Sequence, residues 1–115
     1  MNYAGTRIIQ LNDEEVAIIG DKKVYLIDIN KYQILNEISS DSCFYSILKL
    51  SNCLFLAGDS NGTIIQYKVE NKKLIKNSWK NKVHKGYVWS MNKINNMIIS
   101  GGMNSNDIKI WKIKY

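Results

Sequence analysis

Proline is absent from this 115-residue chain, histidine and arginine occur once each, and cysteine occurs twice. Each scarcity excludes something. Cys43 and Cys53 do not make a disulfide framework, and both fall in strand-like apolar runs where a free thiol acts as a small hydrophobe. One histidine and two cysteines without a CxxC pair lack the spacing of a zinc site, so no metal ligand is assigned. Arg7 alone offers the planar fork suited to phosphate, which leaves the charge of +6 almost wholly to lysine. No apolar run approaches the roughly 18 residues of a membrane span. No basic segment followed by an apolar stretch opens the chain, and an intracellular location, cytoplasmic or nuclear, is expected. Missing proline beside abundant Asn, Ile and Lys reads as the codon bias of an AT-rich genome, because hydrophobic periodicity persists throughout.

Chemical motifs are equally sparse. No Gly-x-Ser-x-Gly elbow and no Gly-x-Gly-x-x-Gly loop occurs, and Ser100-Gly101-Gly102 lacks the lysine and helix of a phosphate loop. Asp13-Glu14-Glu15 is an acidic cluster in a turn, read as solvated. No catalytic residue and no cofactor is assigned, and binding rather than catalysis is the expected function.

What is present is repetition. Ala17-Ile18-Ile19-Gly20-Asp21, Phe55-Leu56-Ala57-Gly58-Asp59 and Ile98-Ile99-Ser100-Gly101-Gly102 are apolar strands ending at glycine. After a polar turn each is followed by an alternating strand: 24–28, 64–68 and 108–112. Glycine recurs at 20, 58 and 101, a period of about 40 residues, the length of a four-stranded propeller blade. Further strands are expected at 7–11, 43–50 and 87–94 before the glycine strands, and at 33–38 and 74–79 after the alternating ones. Asn61-Gly62 between two apolar runs is a hairpin signal. No window carries a helical period, so the expected class is all-β. A β-sandwich or small barrel is the alternative on strand spacing alone.

The third repeat decides between them. His84-Lys85-Gly86-Tyr87-Val88-Trp89-Ser90-Met91, then Ile98-Ile99-Ser100-Gly101-Gly102, then Ile108-Lys109-Ile110-Trp111 resembles the WD40-repeat β-propeller family. The resemblance implies nearly three four-stranded antiparallel blades (about 5–38, 39–79 and 80–115) and an incomplete ring. It also implies a buried structural network of His84, Ser100 and Trp111 with a hairpin aspartate, although Asn104-Ser105-Asn106-Asp107 shows no clear aspartate at the family position. In the earlier repeats Tyr67 and Ile27 are read at the tryptophan position, and neither repeat has the histidine.

Function follows as expectation. The resemblance implies a non-enzymatic scaffold that assembles protein complexes. Tyr45, Tyr87 and Trp89 match rim positions where partners dock, or else pack between blades. Lys72, Lys73, Lys76, Lys80, Lys82 and Lys85, interleaved with Trp79, either grip nucleic acid or anionic lipid or protect an outer edge strand. Propellers have about 4–8 blades. A chain with fewer than three is therefore expected to close as a homodimeric six-bladed ring or to form part of a longer propeller.

Overall fold

A computed structural model describes residues 6–80, 82–103 and 107–112, with the backbone but not the side chain of Trp79. The first sheet holds β1 (Arg7–Gln10), β2 (Glu15–Gly20), β3 (Lys23–Asp28) and β4 (Gln33–Ser39). The second holds β5 (Phe44–Ser51), β6 (Leu54–Asp59), β7 (Ile64–Glu70) and β8 (Lys73–Lys80). The third holds β9 (Tyr87–Ile94), β10 (Met97–Met103) and β11 (Ile108–Lys112). Every neighbouring pair is antiparallel, and strands follow one another in space as they do in the chain. The class is all-β, and the three sheets are the blades of a partial propeller.

The sheets stack in series. Successive strand residues point to opposite faces, so the odd-numbered Phe55, Ala57, Ile65 and Tyr67 of the second sheet meet Ala17, Ile19, Val24 and Leu26 of the first. Its even-numbered Leu48, Leu56 and Ile64 meet Val88, Ile98 and Trp111 of the third. Burial on both faces explains why β6 reads as a nearly unbroken apolar run. The first strands, β1, β5 and β9, lie side by side along the inner edge of the arc. The second and third sheets approach closely at Gly58, where a Cβ would stand 2.5 Å from Val88 Cγ1 and 2.6 Å from Ser46 Oγ. There Ser46 Oγ donates to the Val88 carbonyl at 2.8 Å.

Turn chemistry is carried by carboxylates and amides. Asp28 Oδ1 accepts from the N–H groups of Asn30 and Lys31, and Asp59 Oδ1 from those of Asn61 and Thr63. The Asn-Gly pair therefore sits in a four-residue loop rather than a two-residue turn, with Gly62 at φ +80°. In the Asp13-Glu14-Glu15 turn, Asn12 Oδ1 accepts the N–H groups of Glu14 and Glu15, while Asp13 and Glu14 remain exposed. Cys43 is buried just before β5 and Cys53 lies exposed in the β5–β6 turn, so neither falls within a strand.

Candidate functional site

The segment between β8 and β9 bends over the preceding hairpin. The Gly62 carbonyl accepts from Val83 N at 2.9 Å and His84 N at 3.4 Å. That clasp points His84 into the third sheet, where it is 1% exposed. Its Nε2 lies 2.8 Å from Ser100 Oγ, and Trp111 Nε1 donates to the same oxygen at 3.4 Å. Register explains the meeting. Ser100 and Ile98 share a face of β10, and Ile98 pairs with Trp111 across to β11. Asp107 Oδ2 approaches His84 Nδ1 to 2.9 Å, close but without the alignment of a full hydrogen bond. Asp107 thus takes the hairpin-carboxylate place for which the sequence shows no clear aspartate; Asn104, Ser105 and Asn106 lie outside the described residues. The cluster is a buried polar network, and an orphaned member would cost about 1–3 kcal/mol.

Register also identifies the corresponding residues of the other sheets. Counted three ladder pairs from Gly101, Gly58 and Gly20, the tryptophan position holds Trp111, Tyr67 and Leu26. Leu26, not Ile27, occupies it in the first sheet. Tyr67 stacks on Phe55 with centroids 5.5 Å apart, and burial, with the Asp59 charge second, pushes its pKa up to about 12.

The three rim aromatics converge. Tyr45 on β5 stacks on Tyr87 of β9 at 4.7 Å, and Trp89 tilts against Tyr45 at 5.8 Å. Tyr45 and Trp89 are equivalent by register. Ser46 pairs with Gly58 and Ser90 with Gly101, each beside the same bulge, so each ring flanks the matching serine. Arg7 Nε donates to the Tyr45 carbonyl at 3.4 Å. Tyr45 and Tyr87 are half-buried, while Trp89 stays 45% exposed. Burial pushes the Tyr45 hydroxyl above the ordinary phenol pKa, with the neighbouring Tyr87 a second cause. The result is a continuous aromatic surface on the inner strands of two sheets.

The six lysines are dispersed. Lys72 lies in the β7–β8 turn and Lys73 opens β8, while Lys82 and Lys85 lie in the connection to β9. A bulge in β8 separates Lys76, paired with Tyr67, from Lys80, paired with Ile64. Tyr67 and Ile64 face opposite sides of the sheet, and so do the two lysines. Lys80 Nζ lies 5.5 Å from the centre of the Trp111 ring, a cation–π distance. The side chain of Trp79 lies outside the described residues.

Among solved structures, the C-terminal WD40 domain of Sif2 aligns with 95% of this chain at a TM-score of 0.78 and 11% identity. The WD40 β-propeller domain of Doa1 aligns with 95% at 0.72 and 18% identity. The computationally designed Ika4 protein aligns with 90% at 0.69 and 21% identity. The chain spans 34%, 40% and 62% of those three chains, respectively. Neither a family profile nor a curated protein sequence matches it. The fold is that of WD40 β-propeller blades, three of them in an arc.

Proposed function

We infer that this three-bladed arc is a non-enzymatic scaffold that holds a protein partner on the aromatic surface of Tyr45, Tyr87 and Trp89. The observation that carries this reading is the convergence of three rings from two sheets with the largest, Trp89, left 45% exposed. Clustered Trp and Tyr side chains supply large contact area at small conformational cost, and they dominate binding energy at interfaces. Dispersal of the lysines over two sheet faces and two loops disfavours a nucleic-acid or lipid stripe.

The arc also has two open apolar faces. On the first sheet, Ile8 and Ile34 are 62% and 59% exposed on the face turned away from the second sheet. On the third sheet, Ile108 and Ile110 are 73% and 63% exposed on the corresponding outer face. A second copy, turned about a two-fold axis, brings the first-sheet face of each chain onto the third-sheet face of the other. Six blades then close into a ring.

Tyr87→Ala and Trp89→Ser should each weaken capture of protein partners at least tenfold with melting unchanged. Unfolding of either variant would mark its ring as packing between blades and remove it from the binding surface. Retained capture by both folded variants sinks the assignment. A salt titration of the captured complex should be shallow; a steep log–log slope would indicate phosphate contacts instead.

A further inference from the structure

The second and third sheets can be matched atom by atom along the backbone. Phe44 pairs with Asp59 and Ser46 with Gly58 across a bulge, as Val88 pairs with Gly102 and Ser90 with Gly101. Asp59 N donates to Thr63 O at 3.0 Å, and Gly102 N to Asp107 O at 3.0 Å. Four residues before Phe44 and Val88 stand Ser40 and His84, each giving its N–H to the preceding hairpin: Ser40 to Lys22 O, His84 to Gly62 O. The four members of the buried network therefore have counterparts. His84 corresponds to Ser40, Ser100 to Ala57, Asp107 to Thr63, and Trp111 to Tyr67.

In the second sheet the imidazole has shrunk to a hydroxymethyl group. A cavity of about 370 Å³ lies there, with Ser40, Thr63 and Tyr67, the counterparts of three network members, on its wall. Ile38 and Ile65 supply apolar wall, Asp59 supplies a carboxylate, and the exposed Asp41 and Lys76 stand on the solvent side. Asp59 is 4% exposed and fixed through Oδ1 by the N–H groups of Asn61 and Thr63. Burial raises its pKa against the opposing N–H groups of Thr63 and Asn61 and the Lys76 charge, and a further N–H donor would add to that compensation of a desolvated carboxylate. The volume falls within the range of roughly 300–1,000 Å³ typical of small-ligand pockets.

We propose that this cavity is a binding site for an imidazole-type ring, which enters from outside to take the place that His84 fills from within the third sheet. The ring packs between Ile38 and Ile65 and donates an N–H to Asp59. Two sources share that chemistry: a free imidazole carrying a short substituent, and a histidine side chain on a partner. This goes beyond the aromatic surface, since the cavity lies between the first two sheets and uses none of its residues.

The test is titration of the full chain with histamine and, separately, with a short peptide carrying one central histidine. Backbone amide shifts and melting temperature are followed. Saturable shifts centred on Ser40, Asn61 and Thr63, with a dissociation constant near or below about 1 mM, support the site. Histamine alone binding names a free heterocycle as the source; the peptide binding more tightly names a partner's histidine. Ser40→His should fill the cavity from within, raise the melting temperature without ligand, and reduce binding at least tenfold. Asp59→Asn keeps the Oδ1 that organises the turn and should also weaken binding at least tenfold, so the proposal remains decidable if Ser40→His fails to fold. No shifts at these residues, or equal binding by wild type and Asp59→Asn, overturns it.

Discussion

Removing the imidazole of His84 leaves Ser100 Oγ with only the long indole contact and Asp107 without its buried neighbour. His84→Ala should therefore lower stability by about 1–3 kcal/mol, measurable by urea denaturation. Partner capture should persist wherever the fold does, because the network shares no residue with the aromatic surface. Tyr67 gives a second residue-scale expectation. Its pKa is raised by burial to about 12, so the folded state favours the neutral phenol. The unfolded phenol ionises near 10, so that stability is intact below about pH 10 and is lost as pH rises towards 12. Tyr45 is also raised and Lys23 holds its proton beside Glu37, so both titrate in the alkaline range as well. The difference between wild type and Tyr67→Phe isolates the Tyr67 share, and equal alkaline slopes would remove it.

The strands themselves were legible because period-two alternation and recurrent glycine are local signals, visible in β3, β7 and β11 alike. His84, Ser100 and Trp111 were legible only through the resemblance of the third repeat to the WD40 family, not through alternation or spacing. Asp107 was not, since its reach to His84 depends on how the hairpin folds rather than on a residue count. Nor could spacing show that a bulge in β8 sends Lys76 and Lys80 to opposite faces, which turns an apparent basic stripe into separate contacts. The β6–β7 loop shows how such a detail controls an element. Gly62 has φ +80°, and a Cβ there would overlap the His84 carbonyl oxygen. Gly62→Ala should thus cost more than the roughly 1 kcal/mol of an ordinary left-handed glycine. It should also weaken amide-exchange protection at Val83 and His84 together, because both bond to Gly62 O. Protection lost in the β6–β7 loop alone would show that the clasp is unimportant.

At the scale of the molecule, an arc measuring 41 × 37 × 18 Å buries its middle sheet on both sides and its outer sheets on one. Contiguous apolar faces are uncommon on soluble monomers. Light scattering of the purified chain should accordingly give twice the chain mass at micromolar concentration, and Ile110→Lys with Ile8→Lys should return it to the single mass. A folded monomer from the wild-type chain would exclude the two-copy ring.

The clasp of each new segment onto the previous hairpin gives the array a direction. Ser40 docks on the turn at Lys22, and Val83 and His84 dock on the turn at Gly62, so in both cases the acceptor precedes the donor in the chain. During synthesis, the hairpin that receives a sheet has already emerged when the docking segment follows it. Assembly can then proceed from the first sheet onward as the ribosome advances, with each completed unit presenting the template for its successor.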